Sequence, residues 1–275
     1  MVKWDGHTHT SFCKHGNPAG LGEYLERAAA LGFTRYSVTE HPPLPERWVD
    51  DEGLMAELAM GMDEMPAYLD EVERHKCAYE GRLEVLAGLE LDYLPGAEAF
   101  TFGLVDRFGE RLDDYIVSVH YLPGKRGMRC IDFTPDDFRE GLISYYGSME
   151  RVVEEYYDHV EEAIGIAARL PGGTKRIGHV NLIEKFRLVL PPIDMAQIER
   201  RLERLVPRLA AAGVGLDVNM AGLRVPTCGR SYVPEWFLGR CIDEGIAVVY
   251  GSDAHKPEHV GMGWEEYARA AAPQA

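Results

Sequence analysis

The stretch Asp5-Gly6-His7-Thr8-His9-Thr10 sits directly behind a short β-rich run, Val2–Asp5. Near the other end of the chain, Gly251-Ser252-Asp253-Ala254-His255 follows a second such run, Ile246–Tyr250. Each places ligand-type side chains two residues apart, and in an extended chain such residues point to the same side. His7 and His9 thus present two nitrogens together, and Asp253 and His255 an oxygen and a nitrogen. The pattern recurs between them. Thr34–Thr39 runs into Glu40-His41, Glu84–Glu90 ends on an acid, Tyr115–Val119 ends at His120, and Lys175–Gly178 at His179. Val214–Val218 ends at Asn219 and is the one strand end without a metal-ligand side chain.

Helical segments separate most of these runs. Gly20–Leu31 stops at Gly32, and a segment from about Met62 to Tyr79 has apolar residues at helical spacing. Glu150–Arg169, Ile193–Ala212 before Gly213, and Glu235–Glu244 before Gly245 complete the series. Seven strand-like runs alternating with helices predict parallel strands, because each crossover needs room to return. In a parallel barrel every strand opens on one face at its C-terminal end, so the histidines would converge there. The segments after Tyr93 and after His120 contain Gly and Pro and read as loops over one end of the sheet. No repeat, low-complexity tract or domain boundary is visible, and residues 1–275 read as one domain.

Composition narrows the function classes. The 275 residues are 46% hydrophobic and 27% charged, which suits a globular core and excludes disordered, collagen-like and disulfide-scaffold chains. With 29 Lys+Arg against 45 Asp+Glu, the formal charge of −16 disfavours nucleic acid as a partner. Five scattered cysteines with no C-x-x-C pair fit reduced thiols in the cytoplasm. The N-terminal stretch does not resemble a signal peptide, and no apolar run has the length of a membrane span.

Seven of the ten histidines lie at or just past strand ends: His7, His9, His15, His41, His120, His179 and His255. Glu90 and Asp253 share that kind of position. Imidazole plus carboxylate is the donor set for zinc, iron or manganese. The donors are too many for one tetrahedral ion, so two or three divalent ions are expected, with Glu90 a natural bridge through its two oxygens. His75 and His159, inside charged helical segments, read as surface residues, and His259 as part of a turn. Cys13 reads as a small packed residue, and the acidic run Asp50–Glu52 as a solvated loop. No G-x-S-x-G or Walker loop is present, and no lysine is placed to bridge ions as in amidohydrolases.

Taken together, Asp5–Thr10, His15, Thr39-Glu40-His41, Gly88-x-Glu90, Ser118-Val119-His120, Gly178-His179 and Gly251–His255 resemble the polymerase-and-histidinol-phosphatase (PHP) superfamily over nearly the whole chain. Within it, the stretches His179–Phe186 and Asp217–Arg224 and the insert around Ser118–Tyr121 are most similar to the monofunctional histidinol-phosphate phosphatases. The resemblance implies a distorted, TIM-like (β/α)7 barrel with three ions at the C-terminal ends of its strands. His7, His9, Glu90 and Asp253 would hold the first, Glu90, His120 and His179 the second, and His15, His41 and His255 the third. Glu184 departs from the neutral or basic residue expected in relatives.

The implied reaction is hydrolysis of L-histidinol phosphate to L-histidinol and phosphate, by attack of a hydroxide between two ions. The alternative is a PHP phosphoesterase acting on nucleotides or other small phosphate esters. Asp253, His41 or His255 would protonate the leaving group. Arg224, just past the ligand-free strand, has a fork suited to phosphate; Lys185 and then Arg187 are second choices. Asp5 and Glu40, by adjacency, are candidates to fix the tautomers of ligand histidines.

Overall fold

The structure, a computed structural model, describes residues 2–272. Seven parallel strands run in the order β1 (Trp4–Asp5), β2 (Arg35–Glu40), β3 (Glu84–Asp92), β4 (Asp114–Ser118), then β7 (Thr174–Ile177), β8 (Gly215–Asn219) and β9 (Val248–Gly251). Between β4 and β7 the chain inserts an antiparallel hairpin, β5 (Tyr121–Gly124) and β6 (Gly127–Cys130). The ends of the seven-stranded sheet meet. Gly6 N donates to Tyr250 O at 2.8 Å, Asp253 N to His7 O at 2.7 Å, and His9 N to Ala254 O at 2.9 Å. These bonds carry the first strand past its two ladder residues and bring β1 against β9. The result is a nearly closed, distorted TIM-like barrel.

The strands are almost wholly buried, as parallel strands covered by helices must be. Helix Leu21–Ala30 turns Leu21, Tyr24, Leu25 and Ala28 to the sheet, one apolar stripe at helical spacing. Helix Met149–Arg169 starts at the cap Ser148, whose hydroxyl accepts from Arg151 N, and packs along β4 and β7. Helix Met195–Ala212 begins at the cap Asp194 and ends at Gly213, whose φ of +63° any other residue would resist. One polar pair closes the barrel's lower end. Arg176 Nη2 donates to Asp114 Oδ2 and to Gly6 O, both at 2.7 Å, with the Trp4 ring 4.9 Å from the guanidinium. The opposite end, where the strands terminate, is left open.

Four expectations change. The segment after Tyr93 contains helix Glu98–Phe108, which buries Thr101, Leu104, Val105 and Phe108 at helical spacing. The segment after His120 is the β5–β6 hairpin followed by helical turns through Tyr146. Asp51 is exposed as expected, but it caps helix Glu52–Leu58 by accepting from Leu54 N at 2.9 Å. These insertions form a separate apolar cluster. Val49, Leu94, Tyr121 and Cys130 are its buried centre, with Leu54, Met55 and Leu58 packed against them. Finally, His159 is 6% exposed, under the edge of the Tyr93 ring, while His75 is half-buried. The helix carrying His159 buries more of its circumference than its charge suggested.

Candidate active site

Glu90 organises the open end of the barrel. It lies on β3, 1% exposed, and its two oxygens face different neighbours. Oε2 is 3.0 Å from His7 Nε2, 3.4 Å from His9 Nε2 and 3.5 Å from His41 Nδ1. Oε1 is 2.8 Å from His179 Nε2 and 3.5 Å from His120 Nε2, and it accepts from Ser118 Oγ at 2.7 Å. The approach of β7 to Ser118 is tight: a Cβ on Gly178 would overlap that hydroxyl. Asp253 completes the floor, with Oδ1 3.3 Å from His9 Nε2, 3.3 Å from His255 Nδ1 and 3.9 Å from His7 Nε2. It holds the left-handed φ of +52°, rare for a residue with a side chain.

Donor atoms gather in three groups, each spanning no more than 4.8 Å: His7, His9 and Asp253; Glu90, His120 and His179; and His9, Cys13, His41 and His255. Eight of the nine residues read from the sequence as ligands therefore converge. His15 stands at the rim. Its ring is 5.0 Å from that of His255 and 5.3 Å from that of His41, and its Nδ1 donates to Glu57 O at 2.8 Å. Cys13 is buried as expected, and its sulfur faces the third group; burial pushes its thiol up to about 12.

Carboxylates hold the outer edges of these rings. His7 Nδ1 is 2.8 Å from Asp217, His9 Nδ1 3.1 Å from Glu40, and His120 Nδ1 2.7 Å from Asp92. Each fixes a tautomer and leaves Nε2 as the lone-pair donor toward the centre. Glu40 meets the sequence expectation. Asp5 does not, because its carboxylate accepts from Ser252 N at 2.9 Å and touches no imidazole. Asp217 and Asp92 were missed. Their signal was the same i, i+2 alternation that pairs His7 with His9, here as Asp217-x-Asn219 and Glu90-x-Asp92.

Burial opposes a charge on His7 and His9, yet the surrounding carboxylates raise both well above the usual imidazole range. Burial and the neighbouring His9 hold His41 and His255 well below it. Burial works against the Glu90 carboxylate, but His7, His120 and His41 keep it well below the ordinary glutamate value. Carboxylate oxygens thus face two kinds of imidazole across one floor, with His7 and His9 drawn toward the charged form and His41 and His255 held neutral. His7 Nε2, His9 Nε2 and His255 Nε2 are buried with no hydrogen-bond partner among the described residues. Such a donor set fits divalent metal ions.

Above this floor lies a cleft of about 440 Å³. Arg224, Lys185 and His259 line it, whereas Arg187 donates to Cys228 O at 3.0 Å and does not. Arg224 Nη1 donates to Ser252 O at 2.6 Å and Nη2 to Asp253 O, which ties it to the loop of the left-handed Asp253. Lys185 Nζ is 2.9 Å from Asp132 Oδ2 and 2.8 Å from Asp132 O. Glu184 turns away from the cleft, buried between Asn181 and Arg230. His259, read as part of a turn, does occupy one, Pro257–His259, and burial with Arg224 beside it lowers its pKa to about 4.

Residues 5–221 match the PHP domain family. The histidinol-phosphatase of Bacillus subtilis (strain 168) is 37% identical over 268 residues, covering 97% of this chain and 98% of that protein. A protein of Listeria monocytogenes, described as a candidate histidinol phosphatase HisK, superposes with a TM-score of 0.90 at 32% identity, covering 96% of this chain and 100% of that one. The histidinol phosphate phosphatase of Lactococcus lactis, solved with zinc, L-histidinol and phosphate, superposes with a TM-score of 0.70 at 16% identity, covering 98% and 94%. That last likeness bears on the fold. The PHP match takes in every imidazole-bearing strand end except that of β9, and the longer likenesses include it as well; the chain belongs to the PHP family.

Proposed function

We propose that this chain is a metal-dependent phosphomonoesterase that hydrolyses L-histidinol phosphate to L-histidinol and phosphate. The observation that carries the reading is Glu90, whose two oxygens each serve a different set of imidazoles in one buried floor. The near full-length likeness to the Bacillus subtilis histidinol-phosphatase supports the substrate. A cleft of about 440 Å³ suits a small molecule, and a formal charge of −16 disfavours a polyanionic chain.

Two or three divalent ions, zinc, iron or manganese, would be held by His7, His9, Glu90 and Asp253, by Glu90, His120 and His179, and by His41 and His255 with His15 at the rim. When bound they supply Lewis acidity, which offsets phosphate charge and makes water a usable nucleophile near neutral pH. The chain's own groups do the rest. Asp217, Glu40 and Asp92 keep the imidazoles in one tautomer. Asp253, His41 and His255 line the cleft, and one of them would pass a proton to the leaving alkoxide. Lys185 and Arg224 bring positive charge to the cleft wall for the phosphate. All five cysteines are free, which supports a cytoplasmic setting.

The test is turnover of L-histidinol phosphate by metal-loaded protein, beside nucleoside monophosphates and an aryl phosphate. The expected result is a strong preference for the first. Similar modest rates on all three would reduce the reading to an unspecific phosphoesterase.

A further inference from the structure

Four acids line the cleft: Glu57, Glu90, Asp132 and Asp253. Three of them are matched by positive or metal-ligating neighbours. Glu90 and Asp253 face the imidazole floor, and Asp132 holds Lys185 at 2.9 Å. Glu57 differs, because among the described residues its carboxylate makes no hydrogen bond or ion pair. It sits on helix Glu52–Leu58, where Leu54, Glu57 and Leu58 all line the cleft. That i, i+3, i+4 spacing is one helix face, and Glu57 stands exposed on it at the mouth of the cleft. The helix is anchored beside the histidines by the 2.8 Å bond from His15 Nδ1 to Glu57 O.

We propose that Glu57 receives the ammonium group of the substrate and so selects aminoalkyl phosphate esters. The inference rests on the histidinol-phosphate reading above. In that molecule the ammonium is borne by the carbon next to the ester methylene. A phosphate drawn onto the floor therefore brings a cation close behind it. That cation meets Lys185 and Arg224 on the wall, and needs a carboxylate whose charge is not already taken. Glu57 is the one cleft-lining acid in that condition among the described residues. A carboxylate–ammonium bond is charge-assisted, and losing it typically costs tenfold or more.

The test uses full-length, metal-loaded Glu57→Gln and Glu57→Asp with two substrates: L-histidinol phosphate and its analogue lacking the amine, imidazolylpropyl phosphate. For Glu57→Gln, kcat/KM on L-histidinol phosphate falls at least about tenfold, mainly through KM, while the analogue loses much less. The wild-type preference for the amine collapses, and Glu57→Asp restores part of it. An equal fall on both substrates would make Glu57 a support for the helix, and no fall on either would place the ammonium elsewhere; both overturn the proposal. If the wild-type protein does not turn over L-histidinol phosphate, the substrate reading fails, a result distinct from failure of Glu57.

Discussion

Asp217 Oδ2 lies 2.8 Å from His7 Nδ1 and also accepts from His179 N at 3.2 Å. One fully buried carboxylate from β8 thus braces the ends of two other strands, β1 and β7, although its own strand contributes no ligand. A Cβ on Gly251 would overlap it, so β9 is also shaped around this acid.

Asp217→Asn keeps the shape but replaces one acceptor oxygen with a donor amide. His7 then loses its fixed tautomer. Metal affinity is expected to fall about 10- to 100-fold, as for other residues that orient ligand histidines. Metal titration with activity readout checks this, and unchanged affinity would show that the bond to His7 is passive.

His9 Nε2 is shared by Glu90 and Asp253, so His9→Ala opens both the first and third donor groups. The expected outcome is less bound metal by elemental analysis and little turnover. A strong chelator should likewise abolish activity in the wild-type protein and lower its Tm, with recovery on adding divalent ions. Near-normal turnover in His9→Ala would contradict its role as ligand.

Arg224 spends both terminal nitrogens on the carbonyls of Ser252 and Asp253. Arg224→Ala is therefore expected to lower metal affinity as well as kcat/KM, because the left-handed Asp253 loses its brace. Arg224→Lys should repair little, since one ammonium does not reproduce the two-pronged contact. A fall in kcat/KM with full metal content would instead assign the guanidinium to phosphate alone.

Burial tends to raise the Asp132 carboxylate, but Lys185 and His120 hold it well below the usual aspartate range. A depressed acid stabilises the fold above its unfolded pKa, and that contribution is lost as pH falls through the folded value. Lys185→Met strands the carboxylate, so its pKa rises and the neutral form becomes the tolerated one. Stability is expected to drop by about 2–3 kcal/mol at pH 8 and by less at pH 5. Urea unfolding at both values gives the comparison, and an equal loss at each would refute the coupling.

At the barrel's closed end, Asp114→Ala leaves the Arg176 guanidinium buried against Gly6 O and Trp4 without its counter-charge. The expected cost is about 3–5 kcal/mol in urea unfolding, with metal content retained. Asp114 sits at the start of β4 and the ligands at the strand ends, so loss of metal from folded protein would show that the two ends are coupled.

The chain's local pattern was enough to locate all seven barrel strands to within two residues and to mark their ends as the chemical face. It did so because alternation along a strand decides which side chains share a side, a property of neighbours two residues apart. The i, i+2 pairs His7/His9 and Asp253/His255 needed nothing more. What braces those rings was decided elsewhere. His7 meets Asp217 from 210 residues away, and no local rule contains the register that joins β1, β8 and β9. The same holds for His159, whose burial depends on Tyr93 arriving over it, and for Arg224, whose fork reaches the Asp253 loop from 28 and 29 residues away. Chemistry that repeats along one strand is written in sequence order. Chemistry made by the closing of a barrel depends on which strands become neighbours, and only the packed chain determines that.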